Sequence, residues 1–132
     1  MNVKGVAFLA RKQFLETHIG TSQFESLLQE LAKTCPLFGH PILPSTLIPA
    51  DAFLALNEAA VERFFNGDQQ IYWTWGEKAA EYALTNSYKV FIKGRDWKGF
   101  TLVMHRIWNM YFDRGELKTD YRDECAHIHI HG

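Results

Sequence analysis

The spacing of apolar residues changes character near the end of the chain. Up to about residue 112 most of them recur every three or four positions, which is the repeat of helices with one buried face. Between residues 116 and 131 apolar and polar residues alternate strictly, as in a strand with one buried face. We therefore predict an α+β, mostly helical fold: about five helices followed by a C-terminal antiparallel β-hairpin packed on them.

The first two helices are predicted on either side of Gly20. Residues 3–8 fit either a short strand or the start of a helix that runs to Ile19, and glycine accepts the left-handed conformation that ends many helices. Ser22 and Glu25 have the spacing of a capping box, which predicts that the next helix begins at Ser22.

All four prolines of the chain lie in residues 34–49, and each disfavours a helical predecessor. The segment is also rich in apolar residues, so we expect it to lie fixed across the core, within a single globular domain of residues 1–132. A third helix is predicted over residues 50–65, with Leu54 and Asn57 on its buried side.

Residues 68–85 predict an aromatic helix capped by Asp68. Asp96 is expected to cap a last helix over residues 97–112. Aromatic surface on a soluble helix is either buried in a core or lines a cavity. We predict that the aromatic faces of three helices meet around one modest apolar pocket, whose ligand-binding residues are Phe53, Tyr72, Trp75, Tyr82, Trp108 and Tyr111; an ordinary packed core is the alternative.

The hairpin is predicted from residues 116–121 and 126–131, joined by the four residues 122–125. Pairing of Tyr121 with Ala126 places Asp120 opposite His127 on the polar face. It also produces one apolar face, which we expect to rest on the helices through Leu117, Tyr121, Ile128 and Ile130.

Alternating histidines on the last strand suggest a metal site, because imidazole is a common zinc ligand. Alternate residues of a strand are about 6.6 Å apart, so one ion could take two neighbours, here His127 and His129, but hardly three. A third ligand would have to come from Asp120, Glu116 or another chain. We favour the alternative, a solvated face that shares protons with the acids opposite, and expect only adventitious zinc or nickel binding.

Composition excludes several classes of function. The formal net charge of −1 provides no field that would attract nucleic acid. No apolar run approaches the roughly 20 residues of a membrane helix, and the first residues do not resemble a signal peptide. Only Cys35 and Cys125 are present, without the spacing of a disulfide framework. We expect a reduced, cytoplasmic protein that neither binds nucleic acid nor inserts into a membrane.

No catalytic group can be assembled from the sequence. The serines have no nucleophile-elbow motif, and the glycines are isolated rather than grouped in a phosphate-binding loop. Glu77 and Glu81 lie one helical turn apart, but Lys78 between them favours a solvated face. His105 could ligate haem only in a large apolar pocket, and a helix histidine with a polar neighbour is the simpler interpretation. We predict a non-enzyme without a cofactor.

Three stretches, VKGVAFLARK, LIPADAFLALNEAAVERFFNGD and YWTWGEKAAEYALT, resemble an uncharacterised family of myxobacterial paralogues. More distantly, the initial lysine–glycine, the helix ending at Gly20 and the late antiparallel pair are similar to haem-NO-binding and vinyl-reductase-like ligand-binding domains. That resemblance implies a small-molecule sensor or an assembly module. The tyrosine-x-serine-x-arginine motif of the haem members is missing, with Tyr121-Arg122-Asp123 nearest, so haem is not expected.

Two functions remain open from the sequence. The first is a sensory or signalling domain that binds a small apolar ligand in an aromatic-lined helical core. The second is an interaction or scaffold module that forms a homodimer, or binds a partner protein, through the hairpin edge. In the distant relatives the domain continues past the hairpin, so we expect either a further C-terminal portion or a partner strand that completes the sheet.

Overall fold

The computed structural model of the chain describes residues 1–87, Lys89, Gly94, 96–122 and 124–132. These residues form six α-helices and two small antiparallel sheets of two strands each. The predicted α+β, mostly helical fold with a C-terminal hairpin is confirmed. A bilayer-crossing helix is not present among the described elements, since none has the length and apolar content that crossing requires.

The elements follow the chain in a simple order. They are β1 (Asn2–Lys4), α1 (Gly5–Ile19), α2 (Thr21–Leu31), β2 (Leu47–Pro49), α3 (Ala50–Phe64), α4 (Ile71–Tyr82), α5 (Trp97–Thr101), α6 (Met104–Tyr111), β3 (Glu116–Arg122) and β4 (Cys125–His131). A 3-10 turn at Pro36–Gly39 separates α2 from β2, and a π-helical turn at Ala83–Ser87 continues α4.

The start of the chain, for which the sequence allowed either a strand or a helix, contains a short strand followed directly by a helix. Strand β1 pairs with β2, so that Val3 lies opposite Ile48, and α1 begins directly at Gly5. The first amides of α1 donate to carbonyls of the proline segment: Gly5 N to Thr46 O at 2.8 Å and Val6 N to Pro44 O at 3.1 Å. The segment thereby satisfies donors that a helix start leaves without an intrahelical partner.

Gly20 both ends α1 and precedes α2. Its φ of 87° is a conformation that side chains disfavour, and its amide donates to Glu16 O at 3.0 Å. Its carbonyl accepts from Phe24 N at 3.3 Å. The predicted capping box is wrong: α2 begins at Thr21 and no side chain caps it. The glycine reverses the chain by itself, which leaves Ser22 inside the helix.

The main core lies between α1, α2, α3 and α4. Its buried members are Phe8, Phe14, Leu15, Phe24, Leu27, Phe38, Ile48, Leu56, Ala60, Val61 and Trp75. One predicted buried position of α3 is wrong: Leu54 is 51% exposed, whereas Leu56 is inaccessible. Asn57 is buried, as predicted, and its polar side chain needs a partner there.

The predicted last helix is divided into α5 and α6 at Leu102 and Val103. Asp96 caps α5 as predicted, because its Oδ1 accepts from Gly99 N at 2.8 Å. The prediction of one continuous helix is wrong, and a tertiary contact explains why. The Thr101 carbonyl accepts from the Thr119 hydroxyl of β3 at 3.2 Å, so this acceptor is engaged by the hairpin rather than by the next helical turn.

The hairpin has the predicted register, in which Tyr121 pairs with Ala126 and Asp120 with His127. Pairing extends to Arg122 and Cys125, so the connection is two residues shorter than the predicted four.

Contacts between the hairpin and the helices run mainly from β3 to α6. Leu117 is buried, and the Tyr121 hydroxyl donates to Lys98 O at 3.0 Å. Ile128 and Ile130 are 47% and 59% exposed. The prediction that these two isoleucines rest on the helices is therefore wrong, because α6 lies against β3 and leaves β4 on the outside.

The start of α1 yields a test with a matched control. A Cβ added at Gly5 would collide with the Leu43 carbonyl oxygen, whereas one added at Gly76 in α4 meets nothing within 4 Å. We expect Gly5→Ala to lower the free energy of unfolding by about 2–4 kcal/mol, since backbone must move. Gly76→Ala should raise it by about 0.5–1 kcal/mol, because alanine favours the helix. Urea unfolding measures both; equal values for the two variants would contradict the assigned contact.

Candidate functional site

The six aromatic residues predicted to bind a ligand occupy four places. Tyr72 and Trp75 touch in the main core, with ring centroids 5.3 Å apart, and Phe53 packs against the same core. Tyr82 lies in a groove beside α1, and Tyr111 lies in a crevice between α4 and α6. Trp108 lies apart from all of these, at the turn between α6 and β3. The expectation of one shared pocket is therefore wrong.

Trp108 is a structural residue at the start of the hairpin. Its ring stacks on Phe112, with centroids 4.2 Å apart, and its Nε1 donates to Arg114 O at 3.2 Å. A Cβ at Gly115 would come within 3.2 Å of this ring. The indole therefore holds the turn between α6 and β3.

Trp75 is the centre of an aromatic cluster in the main core. Phe14, Phe65 and Tyr72 all meet it edge to face, at centroid distances of 6.2, 5.8 and 5.3 Å. Such edge-to-face contacts add to the stabilisation from burial. The Trp75 Nε1 is buried and has no hydrogen-bond partner among the described residues.

Arg11 covers the face of Trp75, a contact that no pattern in the sequence predicts. The Arg11 guanidinium carbon lies 3.7 Å from the ring centroid, and Arg11 Nε donates to the Oδ1 of the buried Asn57 at 2.8 Å. Within the described residues no carboxylate forms an ion pair with it. We call Arg11, Asn57 and Trp75 the arginine clamp; it joins α1, α3 and α4.

Two residues at the arginine clamp, Arg11 itself and the adjacent Tyr72, have shifted pKa values. Burial lowers the pKa of Arg11 to about 10, against a smaller opposing effect of Tyr72. The pKa of Tyr72 is raised, first by burial and then by the negative charge of Glu58, while Arg11 opposes the shift. At neutral pH the arginine therefore remains charged, and the helical layer contains a positive charge.

A groove between α1 and the end of α4 is the best candidate for a ligand site. Its cavity volume is about 340 Å³, within the usual range for small-molecule sites. It contains Tyr82, one of the predicted ligand-binding residues. The lining residues are Ala10, Gln13, Phe14, Thr17, His18, Lys78, Glu81, Tyr82 and Thr85, and we call it the α1–α4 groove.

One wall of the α1–α4 groove presents a flat ring pair. His18 stacks on Phe14 with centroids 3.9 Å apart, and its Nδ1 lies 2.9 Å from Phe14 O. The opposite wall carries an ion pair, in which Lys78 Nζ lies 2.7 Å from Glu81 Oε2. The hydrogen bond from Lys78 to Glu81 raises the pKa of the lysine, so its charge is retained near neutral pH.

Polar groups of the groove are mostly bound to their own helices. The Thr17 hydroxyl donates to Gln13 O at 2.8 Å, and the Thr85 hydroxyl donates to Glu81 O at 2.6 Å. Groups fixed in this way are suited to orienting a ligand. Glu81 pairs with Lys78 on an exposed face, as the sequence indicated.

A second space lies between α4 and the α5–α6 pair. It has a volume of about 240 Å³ and an almost entirely apolar lining, with Tyr111, Phe100 and Ile107 facing small residues of α4. Its volume is below the usual range for ligand sites.

The histidines of β4 remain on the hairpin's polar face. Among the described residues no three histidine, cysteine or acidic side chains converge closely enough to hold a metal ion as they stand. The predicted pair His127 and His129 stays a prediction. His105 is exposed on α6 rather than enclosed in a haem-sized apolar pocket, and Cys35 and Cys125 are free thiols.

The chain matches no family model, no curated protein and no solved structure. The resemblance to the myxobacterial paralogues, and the more distant one to haem-NO-binding domains, therefore stay predictions.

The arginine clamp can be tested by truncation. We expect Arg11→Ala to lower the free energy of unfolding by about 2–4 kcal/mol, because it removes a charge-assisted hydrogen bond and a cation–π contact and leaves buried Asn57 unsatisfied. Arg11→Lys should retain only part of the lost free energy of unfolding, since an ammonium group is not planar and cannot stack on the indole ring as a guanidinium does. Urea unfolding measures both changes.

The neighbouring Lys12 provides the control for this test. Its side chain is 44% accessible, and among the described residues its one ion pair is a 3.9 Å contact with Glu16, so Lys12→Ala should cost at most about 0.5 kcal/mol. A double-mutant cycle of Arg11→Ala with Asn57→Ala should give a coupling energy of about 1 kcal/mol or more. If Arg11→Ala behaved like Lys12→Ala, the clamp would contribute nothing to the fold.

Proposed function

We propose that this chain is a cytoplasmic, non-enzymatic sensory domain that binds a small molecule with a flat apolar or aromatic ring in the α1–α4 groove. The observation that carries the proposal is the juxtaposition of the stacked Phe14–His18 pair with the Lys78–Glu81 ion pair across one groove. A ring would stack on the first pair, and a polar substituent would reach the second.

The position of the groove suits a sensor. Tyr82 and Thr85 lie where α4 passes into the π-helical turn, and such turns occur often at functional sites. A molecule that contacts both residues would favour one geometry of this helix end over another, and differential binding of that kind shifts a conformational equilibrium.

Two further features support the proposal. The groove shares Phe14 with the aromatic cluster around Trp75, so its floor rests on the rigid core. The resemblance to small-molecule-binding domains points in the same direction, because the helix ending at Gly20 and the late antiparallel pair are both present in the fold.

Filling the groove should abolish binding without harming the fold. Thr17 is exposed and lines the groove, so Thr17→Phe should place a ring inside it; Ser26→Phe makes a comparable change on the exposed side of α2. We expect thermal-shift screening of aromatic acids and amines, beginning with indole-3-acetate and tyramine, to identify a binder. Calorimetry should then show at least about tenfold weaker binding to Thr17→Phe and unchanged binding to Ser26→Phe. Equal binding by both variants would refute this location, and no binder among the aromatic compounds would refute the ligand class.

A second candidate function is homodimerisation through the hairpin edge. Strand β4 has Ile128 and Ile130 exposed on one face, and among the described strands it pairs only with β3. Its apolar positions are symmetric about Ile128, so an antiparallel copy would place Ile130 opposite Ala126 and Ile128 opposite itself. The exposed edge of β4 is thus complementary to the same edge of a second copy of this chain.

Dimerisation through β4 can be tested by measuring the mass of the chain in solution. We expect the mass measured by light scattering to rise with concentration toward that of a dimer, and Ile128→Lys to keep the chain monomeric, because it would place two like charges opposite each other. Leu43→Lys is the control, since Leu43 is similarly exposed but lies in the proline segment. A constant monomeric mass for the unaltered chain would remove this candidate.

A further inference from the structure

A second depression adjoins the α1–α4 groove, and the proposed function does not use it. Its volume is about 430 Å³. Each of its α1 residues comes one position before an α1 residue of the groove, so it lies on the neighbouring face of the helix. Both spaces share Gln13, Thr17 and Tyr82 and therefore form one continuous trough. The lining residues are Leu9, Lys12, Gln13, Glu16, Thr17 and Tyr82, and we call this space the Lys12 depression.

The Lys12 depression combines an apolar side chain with two charges. Leu9 is half-buried and packs against the main core. Lys12 and Glu16 line the same space from α1, one helical turn apart. An aliphatic chain that ends in a charged group has the matching chemistry, since its carbons would contact leucine and its charge would meet a side chain of opposite sign.

Lys12 has a weaker partner than the other lysine of the trough. Its Nζ lies 3.9 Å from Glu16 Oε1, which is beyond hydrogen-bond distance. The Lys78 Nζ, in contrast, donates to Glu81 Oε2 at 2.7 Å. Because a long, solvent-exposed ion pair contributes little to stability, an anion can replace Glu16 as the partner of Lys12 at little cost to the fold.

The charges around the trough favour an anion over a cation. Its two lysines and two glutamates cancel in formal charge. Arg11 adds a positive charge nearby, because its guanidinium covers Trp75, whose ring meets Phe14 of the groove edge to face. No carboxylate in the described part of the chain pairs with this guanidinium, so its charge is not neutralised locally.

Building on the proposed function, we infer that the groove and the Lys12 depression together bind an aromatic carboxylic acid rather than an amine. The ring stacks on Phe14 and His18, and an aliphatic tail of a few carbons carries the carboxylate to Lys12. A ring N–H or hydroxyl donates to Glu81, since a carboxylate accepts more hydrogen bonds than its one ion pair uses. The acid thus touches both walls of the groove and the depression beside it.

Three compounds that share an indole ring test the charge of the ligand. They are indole-3-butyrate, its uncharged amide and tryptamine, a cation. We expect calorimetry to show the acid binding at least about fivefold more tightly than the amide, and tryptamine binding most weakly, because a hydrogen bond between charged groups is stronger than a neutral one. Equal binding of the acid and the amide would overturn the assignment.

Variants of the depression test the position of the carboxylate. Lys12→Gln should weaken binding of indole-3-butyrate about three- to tenfold and leave the amide unchanged, since only the acid loses an ionic partner. Glu16→Gln should strengthen binding of the acid several-fold, because it removes the negative charge that competes for Lys12. Far-UV circular dichroism checks that both variants fold.

Lys33→Gln is the matched control. It removes the same charge from the chain, but Lys33 is exposed just after α2 and lines neither space. Binding of indole-3-butyrate should therefore be unchanged. An equal loss for Lys33→Gln and Lys12→Gln would mean that only the net charge of the chain matters, and the assigned contact would be wrong.

Two outcomes separate the acid from the site itself. If tryptamine or the amide binds and Thr17→Phe abolishes that binding, while indole-3-butyrate does not bind or binds equally to Lys12→Gln, the groove is a ligand site and the assignment of an acid is wrong. If no aromatic compound binds, the proposed function fails, and the acid fails with it.

Discussion

The packing of the helices depends on a charged side chain held inside an apolar layer. Arg11 contacts α3 through Asn57 and α4 through Trp75, so one residue of α1 fixes its position relative to two other helices. A guanidinium that loses water must regain favourable contacts, and here a ring face and an amide oxygen supply them. Since apolar contacts tolerate sliding more readily than a directed hydrogen bond does, the clamp gives this layer a single arrangement. The α1–α4 groove inherits that rigidity, because Phe14 belongs to both the groove and the aromatic cluster.

Local sequence information predicted most of the fold. Gly20, the boundaries of α3, the Asp96 cap and the register of the hairpin all follow from neighbouring residues, and all are present. The predictions failed where contacts with a distant part of the chain determine the local structure or the burial of a residue. The division between α5 and α6 accompanies a hydrogen bond from Thr119, which periodicity cannot reveal. Ile128 and Ile130 alternate correctly for a buried face, but alternation does not say whether a helix covers that face.

The candidate site was predicted less well than the fold, for a physical reason. Helical spacing identifies which residues share a face, and the stripe of α4 is correct in that sense, with Trp75 buried and Tyr82 half-buried. Spacing does not identify the element that packs on each end of the stripe. Trp75 packs against Phe14 and Phe65, whereas Tyr82 borders an open groove. Trp108 is hydrogen-bonded to the turn between α6 and β3. Arg11 was missed because an arginine beside a lysine on a helix usually indicates a solvated face.

The single-residue junction at Gly20 has a consequence for how the sequence can vary. Helices α1 and α2 meet with no loop between them, and the backbone angles of one glycine set the direction of α2. Each residue of an α-helix turns the chain by about 100°. Moving this glycine by one position would therefore point Phe24 and Leu27, which are almost inaccessible, toward solvent. Homologous chains should therefore keep the number of residues between Gly20 and Phe24 constant.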